Sequence, residues 1–320
     1  MKKISVVVSV YNEEKGLRSF YTETTKVLKA FTEERAYEYE LFFVNDGSSD
    51  LSCSIIKEFR AQDPEHVSYI SFSRNFGHEA AMTAGLDYAS GDYLIFMDAD
   101  LQHPPACIPD ITAKLEEGYS VVNMVRTQNK SAGLIKNITS DGFYMLINKL
   151  SAMKLEPAAS DFFAMDRQAA EVLRHNFREK IRFLRGYVQN IGFKKTTLEY
   201  AAAERVAGES HYSLKKLWRF SIDTIMSFSD VPLKAGIYAG FASGFLGVLL
   251  IIYTLITRKG APSGYATIVI VLCFMFAVLF FIIGIIGEYI SMIFREIKDR
   301  PIYIVENVET ADKFGEQAQC

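Results

Sequence analysis

The chain contains the stretch Tyr93-Leu94-Ile95-Phe96-Met97-Asp98-Ala99-Asp100-Leu101-Gln102-His103-Pro104-Pro105. Its first five residues are apolar and predict a buried strand, whose end carries two carboxylates before a Pro-Pro stop. Ligands of open α/β sheets bind outside the carboxyl ends of strands. Carboxylate oxygens suit Mg²⁺ or Mn²⁺, which bind through one or two carboxylates and the phosphates of a substrate. The stretch therefore indicates a metal-held diphosphate, although an ordinary acidic turn at a strand end has the same pattern.

Upstream and downstream of this stretch, apolar runs rich in β-branched and aromatic residues alternate with helical patterns. Strands are predicted at Ile4–Val10, Leu41–Asn45, Val67–Phe72, Tyr93–Met97 and Val121–Val125, and helices at Lys15–Glu34, Ser52–Gln62, His78–Ala89 and Pro105–Glu117. The alternation is typical of an α/β fold whose mostly parallel sheet is covered on both faces. Neither a Gly-x-Gly-x-x-Gly nor a Walker-type motif occurs, which argues against dinucleotide oxidoreductases and P-loop enzymes.

Polar clusters follow the first, second and fourth predicted strands, at residues 11–14, 45–50 and 98–103. Taken alone, the second cluster is also typical of a solvated Asx turn in which a serine caps the next helix. Right-handed crossovers bring the carboxyl ends of parallel strands to one rim of a sheet, so the three clusters are predicted to form one acidic cleft. A diphosphate in that cleft would need a bridging cation, which favours a metal-dependent nucleotide site.

The composition excludes some classes of protein. A net charge of −3 and a pI near 6.0 argue against a nucleic-acid binder, and the four scattered cysteines match neither a disulfide framework nor a zinc site. Ala235–Ile256 and Tyr265–Ile286 carry no formal charge, and each is long enough to cross a hydrocarbon core of about 30 Å as a helix. They predict a hairpin of two transmembrane helices rather than two buried core helices.

Basic residues are distributed unequally around this hairpin. Two, Arg258 and Lys259, lie in its short link, whereas its outer flanks carry Lys215, Lys216, Arg219, Lys234, Arg295, Lys298 and Arg300. The positive-inside rule then predicts a two-pass protein of the inner or plasma membrane, with its large head domain and both termini in the cytoplasm. The predicted organisation is a head domain at 1–212, an interfacial amphipathic helix region at 213–233, transmembrane helices at 234–257 and 265–287, and a cytosolic C-terminal segment at 288–320.

Two of these segments allow more specific predictions. The apolar stripe around Trp218, with lysines and an arginine largely off it, favours a helix lying on the cytoplasmic leaflet, and packing against the head domain is the alternative. Beyond Pro301, a short returning strand is predicted at Ile302–Val305, and the tail from Glu306 is predicted to be loosely ordered.

A set of motifs stands in the order and at the spacing of one enzyme family. The motifs are Val-Ser-Val-Tyr-Asn-Glu-Glu at 8–14, Val-Asn-Asp-Gly-Ser-Ser-Asp at 44–50, Ser-Arg-Asn-Phe-Gly-His-Glu at 73–79, Asp-Ala-Asp-Leu-Gln-His-Pro-Pro at 98–105, Glu-Arg-Val-Ala-Gly-Glu-Ser-His-Tyr-Ser at 204–213 and Gly-Glu-Tyr-Ile at 287–290. With the hairpin, they resemble the GT-A glycosyltransferases of family 2 over about residues 4–305. Within that family the chain is similar to the polyisoprenyl-phosphate (bactoprenol) glycosyltransferases, which are related to the dolichol-phosphate mannose synthases.

The resemblance implies roles for individual residues. It implies that Tyr11, Glu13 and Asp46 hold the nucleotide base, that Asp98, Asp100 and Gln102 hold Mg²⁺ or Mn²⁺, and that Arg205 reaches the donor phosphates. Arg126 and Lys136 are predicted to grip the acceptor phosphate, with a solvated surface charge as the alternative for each basic residue. The resemblance assigns no ligand role to His78, His103 or His211, and we expect them to support the site or to lie on the surface.

Asp161 matches the catalytic acidic position of the family, but its surroundings differ from the family pattern. Relatives often have glycine before this residue and arginine two residues after it, where this chain has Ser160 and Phe163. Any contact from that arginine is therefore absent or comes from elsewhere in the chain. A phosphate acceptor has a second pKa of about 6 and is largely ionised in the cytosol, so a general base is hardly needed. Asp161 is then expected to orient the acceptor or the metal shell.

The resemblance implies inverting transfer of a sugar from a nucleoside diphosphate donor, UDP-glucose or UDP-N-acetylglucosamine first, to undecaprenyl or another polyprenyl phosphate. The product would be a lipid-monophosphate sugar for cell-surface glycan modification. The glycine-rich first membrane helix and the resemblance are compatible with a homo-oligomer. Two alternatives remain: a processive polysaccharide synthase, against which the absence of a Gln-x-x-Arg-Trp segment argues, and a non-catalytic nucleotide-binding membrane scaffold, against which the intact acidic residues argue.

Overall fold

The computed structural model describes residues 1–127, 159–180, 182–201, 231–256 and 264–311. The chain divides into two compact units. The first unit comprises Met1–Met145, Met153–Ser213 and Pro301–Cys320, and the second comprises Leu146–Ala152 and Leu214–Arg300. The first unit contains most of the predicted head domain, and the second contains the predicted membrane hairpin.

The described helices and strands run as follows, in chain order. They are β1 (Lys2–Val10), α1 (Leu17–Glu34), β2 (Tyr37–Asn45), α2 (Ser52–Gln62), β3 (Val67–Phe72), α3 (His78–Tyr88), β4 (Tyr93–Asp98), a short 3₁₀ turn (Pro105–Cys107), α4 (Ile108–Glu116), β5 (Val121–Arg126), β6 (Ala159–Asp166), α5 (Arg167–Asn176), α6 (Leu184–Asn190), β7 (Lys195–Tyr200), α7 (Val231–Ile256), α8 (Tyr265–Ile297) and β8 (Val305–Glu309). The nine elements predicted up to residue 125 are all present, with their ends shifted by a few residues.

The strands of the first unit form one mixed sheet in the order β7-β5-β6-β4-β1-β2-β3-β8. Strand β1 pairs in parallel with β2 and β4, β2 pairs in parallel with β3, and β5 pairs in parallel with β7. The side chains of β1 to β4 are largely buried, as expected for a sheet covered on both faces. The predicted α/β fold with a mostly parallel sheet is confirmed. Strand β6, which enters antiparallel between β4 and β5, was not predicted.

The C-terminal strand differs from its prediction. It spans Val305–Glu309, so it shares only Val305 with the predicted strand and otherwise lies in the segment predicted to be loosely ordered, and it pairs antiparallel with β3. Pairing satisfies the backbone groups of an otherwise open sheet edge. The Tyr69 hydroxyl donates to Glu309 Oε1 at 2.9 Å, and Arg60 Nε lies 3.8 Å from Glu309 Oε2. Glu309, in the segment predicted to be loosely ordered, therefore binds Tyr69 of the sheet and lies close to Arg60 of α2.

Close packing of α3 on β1 brings the carboxyl ends of the strands and the start of this helix together. At Gly85 a Cβ atom would lie 2.1 Å from Val7 Cγ1, so only glycine allows the helix this close to the strand. His78, the first residue of α3, consequently lies beside the carboxyl end of β1. A hydrogen bond of 3.0 Å joins its Nδ1 atom to Ser9 Oγ. This contact places a histidine at the rim where the predicted polar clusters meet.

The second unit contains the two apolar helices α7 and α8. Within them, Val231–Leu249 and Phe274–Ile297 are long and apolar enough to cross a membrane. Their large apolar side chains, such as Phe241 and Phe280, are exposed, unlike those of a soluble core. The helices extend beyond the predicted spans of 234–257 and 265–287, because α7 begins at Val231 and α8 continues to Ile297. Most of the predicted interfacial region, including Trp218, lies outside the described residues.

Candidate active site

The register of the parallel strands aligns polar residues along one edge of the sheet. Ser9 of β1 lies opposite Asp98 of β4, Val10 lies opposite Asn45 of β2, and Asn45 lies opposite Ser71 of β3. The Asn45 side-chain amide donates to Ser71 Oγ at 2.5 Å. The carboxyl ends of the four central parallel strands therefore form a continuous polar rim, as the three sequence clusters predicted.

The turns that follow β1 and β2 are joined to each other by hydrogen bonds. The Asn12 N–H donates to Ser48 Oγ at 3.1 Å, and the Ser49 N–H donates back to Asn12 Oδ1 at 2.8 Å. The Leu51 N–H donates to the Glu14 carboxylate at 3.1 Å. Asn12 adopts a φ of 56°, which asparagine tolerates better than most residues. These bonds make the first two turns of the rim one connected structure.

Two predicted base-binding residues lie in the first of these turns. The Tyr11 side chain is 41% exposed at the rim. The backbone N–H of Glu13 donates to Ser52 Oγ at 2.9 Å, and its carbonyl accepts from the first residues of α1. The turn is thus rigidly attached to α1 and α2. The binding of a base by these two residues stays a prediction.

Asp46, the third predicted base-binding residue, holds the loop that leads into α3. Its carboxylate accepts hydrogen bonds from the Asn75 side-chain amide at 2.9 Å and from the backbone N–H groups of Phe76 at 2.6 Å and Gly77 at 2.9 Å. Burial raises the pKa of Asp46 from its ordinary value, against the lowering effect of these N–H groups. Asp46 therefore shapes the rim from within, and its contact with a base stays a prediction.

Asp98 occupies the centre of the rim and is bound on two sides. Its Oδ1 atom accepts from the Ser9 hydroxyl at 3.3 Å. Its backbone N–H donates to His103 Nδ1 at 2.9 Å, so this nitrogen carries no proton and any ring proton lies on Nε2. The His103 ring is buried and stacks on Phe162 at a centroid distance of 5.0 Å. His103 thus supports the turn that carries the acidic pair, in agreement with the prediction that it supports the site.

Asp100 completes the acidic pair, and the pair fits a hard divalent cation. The residue is only 8% exposed, and its Oδ1 atom accepts from the Gln102 backbone N–H at 3.0 Å. Among the described residues, no group of three or more His, Cys, Asp or Glu side chains could hold a metal ion. Two carboxylates completed by substrate phosphates and water are, however, a common way to bind Mg²⁺. A cation here would depend on a bound diphosphate.

Asp161, on β6, lies between two potentially cationic side chains. Its Oδ2 atom is 3.6 Å from His78 Nε2, and its Oδ1 atom is 3.4 Å from Arg185 Nη1. Both separations exceed an ordinary hydrogen bond, so each contact is a charge interaction. On its other side, His78 Nδ1 lies 3.9 Å from Asp98 Oδ1. His78 therefore connects the predicted catalytic carboxylate with the predicted metal-binding carboxylate.

Burial and neighbouring charges shift the pKa values of His78, Asp161 and Glu79. Burial lowers the pKa of His78, but the carboxylates of Asp161 and Asp98 outweigh burial and raise it to about 10. Burial raises the pKa of Asp161, but Arg185 and His78 outweigh this effect and hold it well below its usual range. Burial and the nearby Asp161 raise the pKa of Glu79 to about 7. At neutral pH Asp161 is an anion beside two cations, and such a carboxylate is a weak base.

The predicted phosphate-binding residues fall partly outside the described chain. Arg126 is the last residue of β5 and is exposed, opposite Tyr200 of β7. Lys136 and Arg205 lie outside the described residues, as does His211. Arg126 keeps its predicted place after the fifth strand, and its binding to a phosphate stays a prediction.

Two family models match the chain over most of its length. Residues 5–174, which include Asp46, Asp98 and Asp161, match the model described as Glycosyl transferase family 2. The chain belongs to glycosyl transferase family 2. Residues 231–293 match a second model, the GtrB C-terminal hairpin, and cover most of α7 and α8.

Similar proteins cover nearly the whole glycosyltransferase. An uncharacterized glycosyltransferase, YkcC, of Bacillus subtilis (strain 168) is 41% identical over 94% of this chain and 93% of its own length. The bactoprenol glucosyl transferase of Shigella phage SfII is 40% identical over 95% of this chain and 97% of its own length. Among solved structures, a Mycobacterium tuberculosis glucosyl-3-phosphoglycerate synthase complexed with Mn²⁺, UDP-glucose and phosphoglyceric acid is 19% identical, with a TM-score of 0.43 over 70% of this chain and 78% of that one.

Two residues of the glycosyltransferase site were missed by sequence reasoning. Arg185 and Glu79 both approach Asp161, yet Arg185 follows it by more than twenty positions and lies beyond the matched family segment. Glu79 stood in a quoted motif without a role. The phenylalanine at Phe163, where relatives often have arginine, was the one available signal, because it left the contact from that arginine either absent or supplied from elsewhere in the chain.

Proposed function

We propose that this glycosyltransferase transfers glucose from UDP-glucose to a polyprenyl phosphate at the cytoplasmic face of a membrane, with inversion at the anomeric carbon. The observation that carries the proposal is the similarity to named bactoprenol glucosyl transferases over 95% of the chain. The acidic pair at the end of β4 and the two apolar helices fit the same activity. The product would be a polyprenyl-monophosphate glucose for modification of cell-surface glycans.

The donor would lie along the rim formed by β1, β2 and β4. In this proposal Tyr11, Glu13 and Asp46 hold the base, Arg205 contacts the diphosphate, and Asp98, Asp100 and Gln102 hold Mg²⁺ or Mn²⁺. The cation would stabilise the negative charge that develops on the leaving diphosphate. Ser9 and His103 keep Asp98 in position through the contacts described above.

The acceptor would supply its own nucleophile. A phosphate oxygen of the lipid forms a bond to the anomeric carbon of glucose, while the bond from that carbon to the β-phosphate oxygen breaks and UDP leaves with the electron pair. Since the second pKa of a phosphate monoester is about 6, the attacking oxygen is already largely ionised at pH 7. Asp161 therefore acts as an orienting anion rather than as a base. Arg126 and Lys136 are proposed to bind the acceptor phosphate.

The two apolar helices would keep the reaction at the bilayer. Helices α7 and α8 are proposed to cross the membrane as a hairpin, with both termini in the cytoplasm because the basic residues concentrate on the outer flanks. A polyprenyl chain is insoluble in water, so an enzyme that uses it gains from being anchored in the same bilayer.

The choice of donor and the need for a cation can be tested together. Purified protein in detergent, given a short-chain polyprenyl phosphate, is expected to release nucleoside diphosphate faster from UDP-glucose than from UDP-N-acetylglucosamine or GDP-mannose. EDTA is expected to lower this release about 100-fold or more, because the leaving diphosphate then loses its Lewis acid, and excess Mg²⁺ or Mn²⁺ should restore it. Preference for another donor would contradict the proposed sugar, and release that is insensitive to EDTA would contradict the metal site.

A further inference from the structure

The segment before and within α6 is fixed against α3 by two contacts. The Leu184 N–H donates to Glu79 Oε2 at 2.8 Å, and the buried Arg182 donates from Nε to Thr83 Oγ1 at 3.0 Å. These bonds attach the start of α6 to the first turns of α3. Arg185, the second residue of α6, is thereby brought close to Asp161, which His78, the first residue of α3, also approaches.

The Arg185 side chain is itself restricted. Its guanidinium lies 5.4 Å from the centre of the Phe183 ring and 3.4 Å from Asp161 Oδ1, and its side chain is 19% exposed. At Gly186 a Cβ atom would lie 2.3 Å from Phe183 Cδ1, so the ring packs directly on the helix backbone. A partly buried guanidinium held by a ring and a carboxylate has fewer accessible positions than a surface arginine.

Strand β6 provides no cation for Asp161 at the position where one would be expected. Phe163, two residues after Asp161, is buried and stacks on Phe96 with a centroid distance of 4.8 Å. Asp161 lies beside His78, which in turn approaches Asp98. An anionic acceptor entering this site would meet several carboxylates, and a positive charge fixed on Asp161 reduces that repulsion.

We propose that Arg185 is a positioning residue for Asp161, which orients this carboxylate and neutralises it toward the incoming acceptor phosphate. The inference rests on the proposed function, since it concerns how the transfer step is organised. Arg185 thus supplies from α6 the charge that β6 lacks at Phe163. Its contribution is made through Asp161, so removing it should matter only while Asp161 is intact.

The test uses R185Q, D161N and their double variant in full-length purified protein. R185Q is expected to lower kcat/KM for the polyprenyl phosphate about 100-fold, the size of loss that a misplaced catalytic group produces, with KM for UDP-glucose within about threefold of wild type. R185K, which keeps the charge but not the planar fork, is expected to recover part of the loss. In the D161N background, adding R185Q should cost less than about threefold, because residues acting as a unit are not additive.

Arg167 provides a matched control. It is an exposed arginine at the start of α5, and its Nη1 atom lies 3.5 Å from Asp92 Oδ1. This position is at the end of β4 opposite to the rim, so R167Q is expected to leave transfer unchanged. Transfer by R185Q within threefold of wild type, or a double variant whose loss is the product of the two single losses, would overturn the role of Arg185. If R185Q does not fold, R185M, which also removes the charge, is measured alone and combined with D161N against the same criteria. Absence of transfer by wild-type protein would instead contradict the proposed function.

Discussion

D100N is expected to reduce glucose transfer by on the order of 10³-fold while leaving the protein folded. Asparagine has nearly the same shape as aspartate and retains an oxygen that can accept from the Gln102 N–H, so the turn after β4 should persist. The substitution removes one of the two negative charges that would hold the cation, and through the cation the donor diphosphate. Initial rates at saturating Mn²⁺ or Mg²⁺ measure the loss.

The control for this variant is D110N. Asp110 is an exposed residue in the first turn of α4, shortly after the acidic pair, and nothing in the described structure connects it with the rim. D110N should therefore transfer glucose at the wild-type rate. Retention of more than about a tenth of wild-type activity by D100N would contradict the assignment of Asp100 to the metal site.

D161N is expected to lower kcat by about 100-fold to 1,000-fold, with little change in the affinity for UDP. The charge of Asp161 pairs with Arg185 and His78, so the neutral amide leaves two cations without their anion. The pKa of Asp161 lies well below its usual range, so the wild-type carboxylate stays ionised as the pH falls from 8.5 to 6. The ratio of wild-type to D161N rates should therefore stay well above one at pH 6, even though Glu79, with a pKa of about 7, titrates within that interval.

A suitable comparison for D161N lies at the other end of the same strand. Asp166 caps α5 by accepting from the Ala169 N–H at 2.8 Å, and asparagine is an equally good cap, so D166N should retain both fold and activity. A ratio that falls toward one at low pH would show that the Asp161 carboxylate becomes protonated in that interval, and this result would contradict its lowered pKa.

Local sequence was sufficient to predict the elements whose contacts are local. Asp98 and Asp100 directly follow an apolar strand, and the order of parallel strands determines the rim on which such residues meet. The contacts that escaped prediction join distant segments. Strand β6 enters the sheet after a long interval of sequence, and the strand Val305–Glu309 pairs with β3, which lies far from it in the chain.

The same distinction separates the histidines and the arginines of the site. All three quoted histidines looked alike in sequence, yet His103 is a buried acceptor for the Asp98 N–H, whereas His78 bridges two carboxylates. Arg185 could not be assigned to Asp161, because its place depends on the docking of α6 on α3 through Glu79. Tertiary packing decided these roles, and no spacing in the chain encodes them.

The most direct test of the central claim is the transfer of labelled glucose from UDP-glucose to a defined polyprenyl phosphate by the purified protein. The lipid is extracted into organic solvent, its label is quantified, and its molecular mass is measured by mass spectrometry. The account predicts label in the lipid phase and a product whose mass equals the polyprenyl phosphate plus one dehydrated glucose, with D100N forming this product on the order of 10³-fold more slowly. Label that stays in the aqueous phase, or a lipid product carrying two phosphates, would contradict it.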